Sequence, residues 1–323
     1  MNSITKVSYL RLSVTDRCNM RCFYCTAADR PRPLTHKDIL RYEEALLVVK
    51  AGVKLGINKV RVTGGEPLIR KGVVNFIKKL TAIPGIDNVG ITTNGVLLKD
   101  MSVPLADSGI QRINVSLDTL KPDRFFKITG RDYFDMVWEG ISAAHKAGLS
   151  PIKLNMVVIK GVNDDEVLDF AKLTIDAPYV VRFIEFMPTG KVGSWTSDKV
   201  VSCDEIMSRL ISIGQIEPIA QAEGDGPAIR YRFHGAQGEI GFIAPISKGF
   251  CAKCNRLRLT ADGRLLPCLF SDQEFDLKTL LRSGSDENAL LSLMRNAIAA
   301  KPHQNKALII NGSGSRQMVQ IGG

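Results

Sequence analysis

Between residue 9 and about residue 213, short apolar strand-like runs alternate with helix-like ones. This alternation restricts the possible folds more than any other feature of the chain. The strand candidates are 9–14, 57–63, 89–93, 110–117, 152–159 and 179–186. Val, Ile and Leu dominate most of them, as in strands covered on both faces. Six β-α units in series imply a parallel sheet with right-handed crossovers. An eight-unit barrel takes about 250 residues, so six units in about 200 predict an incomplete (βα)6 barrel. A helix is expected over 35–54, where Thr35 and Asp38 resemble a capping box and Leu40, Leu46, Leu47 and Val53 form an apolar stripe. Ser202 and Glu205 open a later helix in the same way.

After residue 215 the pattern changes. Short strands are expected at 229–233, 239–244, 256–260 and 264–266, followed by helices near 275–282 and 286–299. The expected organisation is a partial-barrel domain over 1–215, a smaller α+β domain over 216–310 covering the barrel mouth, and a flexible tail over 311–323.

No apolar run reaches the roughly 18–20 residues of a membrane span. The N-terminus carries no apolar segment followed by a small-residue cleavage site, so a cytoplasmic protein with no membrane partner is expected. The net charge of +10 fits a nucleic-acid binder, a membrane-surface binder or an enzyme with a polyanionic substrate. The basic residues are scattered and aromatics are sparse, which disfavours a stacking surface for nucleic acid. Six of the seven cysteines fall in two tight groups, a pattern of metal binding in a reducing compartment.

The first group is Cys18, Cys22 and Cys25, spaced Cys-x3-Cys-x2-Cys. Three thiolates from one loop suit an iron–sulfur cluster, and a cubane held by three ligands keeps one iron open for a small molecule. The second group is Cys251, Cys254 and Cys268, again three ligands, where a structural zinc would want four. Arg256 and Arg258 follow at strand spacing, so both point to one face and form an anion-binding pair. Distinctive residues also follow nearly every predicted strand, at the end where barrel active sites lie. The cysteine triad follows the first, Gly64-Gly65-Glu66-Pro67 the second and Thr92-Thr93-Asn94-Gly95 the third. Ser116 and Asp118 end the fourth, and Arg182, Glu185 and Met187 cluster at the end of the sixth.

Taken in order with Val115-Ser116-Leu117-Asp118, the run from Cys251 through Arg256 and Arg258 to Gly263, and a Gly-Gly terminus, these motifs resemble the GTP 3′,8-cyclase family of radical S-adenosylmethionine (SAM) enzymes. The resemblance covers essentially the whole chain. It implies two [4Fe–4S] clusters, one on each cysteine group, with SAM on the open iron of the first and guanine on that of the second. It implies that Tyr24, Gly65, Ser116 and Met187 contact SAM, and that Arg11, Arg61, Thr92, Lys153, Arg182, Arg256 and Arg258 contact GTP. It also implies that Gly322 and Gly323 enter the active site, with Arg316 reaching the substrate from the same tail. The stretch 304–312 departs from the family's pattern.

The implied reaction abstracts the ribose 3′ hydrogen of GTP, joins C3′ to guanine C8 and, after reduction, gives 3′,8-cyclo-7,8-dihydro-GTP. The implied partners are a flavodoxin-like or ferredoxin-like electron donor and a downstream cyclic pyranopterin monophosphate synthase, with no nucleic acid, for a monomer or homodimer. Two other classes stay open on the residues alone: a peptide-modifying radical SAM enzyme with an auxiliary cluster, and a non-catalytic zinc protein that binds nucleic acid. Cys203, in the helix opened by Ser202, reads as packing.

Overall fold

The computed structural model describes residues 7–26, 32–110, 112–189, 194–220, 226, 228–249, 254–302 and 316–322. Cys251, Gly323 and the stretch 304–312 lie outside the described residues. Six strands, β1 (Tyr9–Ser13), β2 (Lys59–Thr63), β3 (Asn88–Thr93), β4 (Ile113–Ser116), β5 (Lys153–Val158) and β6 (Val180–Glu185), pair in parallel in chain order. Helices α1 (Tyr42–Lys54), α2 (Val73–Thr81), α3 (Leu98–Asp107), α4 (Pro122–Thr129), α5 (Phe134–Lys146), α6 (Val167–Asp176) and α7 (Cys203–Leu210) fill the connections and follow β6. Ser202 caps α7 as expected, its hydroxyl accepting from the Glu205 N–H at 3.1 Å.

The helix expected over 35–54 is shorter. Thr35 and Asp38 close a turn on themselves, with the Thr35 hydroxyl 2.6 Å from the Asp38 carboxylate. The chain then leaves helical geometry because Leu40 is bonded elsewhere: its N–H donates to the Ala261 carbonyl and its own carbonyl accepts from Arg70. Helix α1 starts two residues later, where the Arg41 N–H donates to Glu44 at 2.7 Å. Glu44 also takes the guanidinium of Arg282. Burial would raise this carboxyl, but Arg282 and Arg41 override it and hold it at about 2.

The C-terminal strands do not form a sheet of their own. Strand β9 (Glu239–Ile243) pairs in parallel with β6, and β8 (Ile229–Phe233) and β7 (Ile216–Pro218) extend outward from it. Strand β10 (Arg256–Leu259) pairs in parallel with β1, and β11 (Arg264–Leu266) and β12 (Phe275–Asp276) follow. Twelve strands thus form one sheet, and both edges of the six-strand core are covered by later chain. Helices α8 (Leu277–Arg282) and α9 (Glu287–Ala299) return against α1.

Core strands alternate instead of being apolar on both faces. Leu10, Leu12, Val60, Val62, Leu154, Met156, Leu257 and Leu259 are buried on the helix side. Their neighbours Tyr9, Arg11, Arg61, Lys153, Asn155, Arg256 and Arg258 face the other way. Each fully buried aliphatic side chain contributes about 1.5–3 kcal/mol, enough in sum to support a polar inner face. No described helix is long and apolar enough to cross a membrane.

Candidate active site

The first cysteine loop is stitched to the loop after β2. Gly65 N–H donates to the Thr15 carbonyl at 2.7 Å and Glu66 N–H to the Arg17 carbonyl at 2.8 Å. A Cβ at Gly65 would lie 2.3 Å from the Arg17 carbonyl oxygen, so glycine is required here by the cysteine loop itself. Glu66, 1% exposed, accepts from the Leu68 N–H, the Thr93 hydroxyl and the Asn94 N–H, at 3.0, 2.8 and 2.7 Å. Burial pushes its carboxyl up to about 7. Asn94 then reaches Asn19 at 2.7 Å and the Cys18 sulfur at 3.9 Å. Two motifs far from it in sequence therefore fix the cysteine loop.

On the other side of this loop, the Tyr24 phenol donates to Asp118, whose second oxygen accepts from the Val157 N–H at 2.9 Å. Burial raises Asp118 to about 6. The Tyr24 ring meets Phe186 edge-on at 6.4 Å, next to half-buried Met187. Ser116 ends β4 in register with Asn155. The loop, the end of β4 and the end of β6 thus converge.

The Cys22 thiol is pushed well above its ordinary range by burial, then by Cys25, Asp118 and Cys18. Such crowding of like charge is relieved by a cationic cluster, and thiolate sulfur is the donor that iron–sulfur clusters take. Among the described residues no three His, Cys, Asp or Glu side chains gather as ligands of a single ion. Cys203, in contrast, is buried beside Glu185, and both raise its thiol, so it packs.

The predicted cations line the inner face in register. Arg258 lies beside Arg11, and Arg11 beside Arg61. Gly90 is the next neighbour, where a Cβ would sit 1.9 Å from an Arg61 nitrogen. Thr92, Asn114 and Lys153 form the next row, and Asn155 pairs with Arg182. Arg182 is brought down to about 10 by burial and then by Arg61; the sheet curls so that Tyr24 from the loop after β1 meets Asp118 after β4 and Phe186 after β6. Lys153 falls to about 7 through burial, Arg182, Arg61, Arg112 and Arg230. Burial alone would raise Tyr9, but Arg61, Arg11 and Arg256 bring its phenol down to about 7. Among the described residues, Thr92 Oγ1, Asn114 Oδ1, Asn155 Oδ1 and Arg182 Nε are buried with no hydrogen-bond partner. Buried donors and acceptors left without a protein partner on a strongly cationic face suit a polar ligand that brings both kinds of partner.

At the rim, the Cys254 thiol would be raised by burial, but Arg256 and Lys301 bring it down to about 7, a poise suited to a thiolate ligand. Gly322 adopts φ +76° and passes its carbonyl oxygen to Arg258 at 3.0 Å. Arg316 forks onto two carboxylates, Asp262 at 2.9 and 3.0 Å and Glu274. Its guanidinium ties the start of the described C-terminal segment to these two carboxylates.

Residues 12–174 match the radical SAM superfamily, and residues 179–307 match Molybdenum Cofactor Synthesis C. A GTP 3′,8-cyclase of Pelotomaculum thermopropionicum is 47% identical over 98% of both chains, and one of Thermodesulfovibrio yellowstonii is 48% identical over 92% of both. The chain belongs to the GTP 3′,8-cyclase family. As a radical SAM enzyme it uses SAM and an iron–sulfur cluster. The fold also resembles Streptococcus suis SuiB bound to its precursor peptide, with a TM-score of 0.60 at 18% identity over 90% of this chain and 67% of that one. The positioning residues Glu66, Asn94 and Asp118 sat inside recognised motifs of the cyclase family without an assigned role. Tyr9 was legible only as the residue two before Arg11, on the same strand face.

Proposed function

We propose that this chain converts GTP to (8S)-3′,8-cyclo-7,8-dihydroguanosine 5′-triphosphate, the first step of molybdenum cofactor biosynthesis. The observation that carries this is the in-register row Arg258, Arg11 and Arg61 on a buried inner face, next to the strand of the second cysteine group. A triphosphate neutralises such a row through bidentate guanidinium contacts.

In this function Cys18, Cys22 and Cys25 hold one [4Fe–4S] cluster, and Cys251, Cys254 and Cys268 hold a second. Bound together, the first cluster and SAM supply a 5′-deoxyadenosyl radical. Tyr24, Gly65, Ser116 and Met187 hold SAM, with Asp118 fixing Tyr24. Arg11, Arg61, Thr92, Lys153, Arg182, Arg256 and Arg258 bind and orient GTP so that C3′ faces the radical source and C8 lies within reach of C3′. Lys153, which is partly neutral in the free protein, takes up a proton as the triphosphate enters. Gly322 and Gly323 close the site against water, and Arg316 acts by holding the tail in place.

The radical SAM unit is residues 1–215, the second-cluster unit 216–310 and the tail 311–323. The chain works in the cytoplasm as a monomer or homodimer, takes electrons from a small flavodoxin-like or ferredoxin-like carrier and hands its product to a cyclic pyranopterin monophosphate synthase. The test is anaerobic incubation of the reconstituted enzyme with GTP, SAM and dithionite, read by mass spectrometry. The expected products are 5′-deoxyadenosine and an isomer of GTP. Deoxyadenosine with untouched GTP would leave the first cluster in place and remove the substrate.

A further inference from the structure

Lys301 follows α9 and is 4% exposed, yet its ammonium has no carboxylate partner among the described residues. Its three donors go to the Arg256 carbonyl at 2.7 Å, the Pro267 carbonyl at 3.0 Å and the Cys254 sulfur at 3.4 Å. A buried cation is costly unless an anion or hydrogen-bond acceptors offset it. The soft acceptor within its reach is the sulfur of Cys254. The Arg256 carbonyl lies two residues after Cys254 and the Pro267 carbonyl one residue before Cys268.

We propose that Lys301 is a positioning residue for the second cluster: it clamps the chain beside Cys254 to the chain beside Cys268, and its bond to the Cys254 sulfur stabilises the cluster's reduced form. This rests on the two-cluster function above. A hydrogen bond and a positive charge at a ligating sulfur both favour the state carrying one more electron, so they raise the reduction potential. The ammonium uses all its donors at once, so replacing it changes both charge and hydrogen bonding at that sulfur.

The experiment uses the full chain with Cys18, Cys22 and Cys25 all changed to serine, reconstituted with iron and sulfide so that only the second cluster remains. Iron per chain is counted first, and a titration followed by electron paramagnetic resonance then gives the midpoint. About four irons per chain are expected; a parent that binds none overturns the two-cluster function, whatever Lys301 does. Lys301→Met is expected to shift the midpoint to more negative potential, and Lys301→Arg, which keeps the charge, to shift it less. Should Lys301→Met fail to hold iron, Lys301→Gln takes its place, since it keeps an N–H donor and loses only the charge. A substituted protein that holds its full iron and titrates at the parent potential overturns the proposal, because a purely structural clasp would leave the potential unmoved.

Discussion

The Arg258 guanidinium donates to the carbonyl oxygen of Gly322 at 3.0 Å, so the strand after the second cysteine pair holds the end of the tail inside the barrel. At φ +76° Gly322 occupies backbone space that other residues reach only with strain, and a Cβ there would lie 2.8 Å from a Thr63 methyl. Gly322→Ala is expected to lower the rate of GTP conversion by roughly tenfold or more, the cost of misplacing a group at a reacting site. The melting temperature should barely move, because the residue is near the chain end. A variant of normal rate would show that the tail's position is immaterial.

Arg256 belongs to a strand face that carries two guanidiniums beside the cysteines. Removing one charge-assisted contact to a phosphate costs about 1.5–3 kcal/mol. Arg256→Ala should therefore weaken GTP binding by roughly ten- to a hundredfold, measured by equilibrium binding without SAM. An unchanged dissociation constant would remove Arg256 from the substrate site.

The pH dependence of binding has a definite sign. Burial and then Arg182 hold the Lys153 amine at about 7 in the free protein. A bound triphosphate favours the ammonium and raises that value. Affinity contributed by Lys153 is thus fully present below about pH 7 and falls as pH rises towards the higher value of the bound state. The Tyr9 phenol, also at about 7, adds the same sign, since phenolate repels phosphate. Calorimetry in two buffers of different ionisation enthalpy should show proton uptake on binding at pH 8, reduced in Lys153→Met. Binding with no proton uptake would contradict both assignments.

Glu66 is the tie between two loops that support the cysteines. Glu66→Ala strands the Leu68 N–H, the Thr93 hydroxyl and the Asn94 N–H, each at about 1–3 kcal/mol when left buried and unpaired. The expected result is a melting temperature lower by several degrees and loss of iron from the first site, read by iron analysis after reconstitution. Full iron content would mean that the loop holds its shape without this carboxylate.

Much of the placement of the candidate site was legible in the linear order of residues. Short apolar runs set between helical segments placed all six core strands, because a strand buried under helices must show its apolar positions whatever surrounds it. The phase of the motifs followed: Gly65 and Met187 sit just past strand ends and Ser116 at the last position of β4, because barrel geometry puts ligand loops there. The cysteine spacings were local properties of short loops and needed no fold to be read.

Other features depend on contacts between distant segments. Leu40 leaves the helix pattern because its N–H and carbonyl are claimed by Ala261 and Arg70, and nothing near Leu40 announces either. The C-terminal strands join both edges of the core sheet because each edge offers unpaired backbone groups, a long-range pairing that composition does not encode. Arg316 looks like any tail arginine until Asp262 and Glu274 close around it. Lys301 likewise gains its meaning only where α9 ends beside Cys254. Local periodicity and spacing are written residue by residue, whereas the partner of a buried charge is set by which distant segments the fold brings within hydrogen-bonding distance.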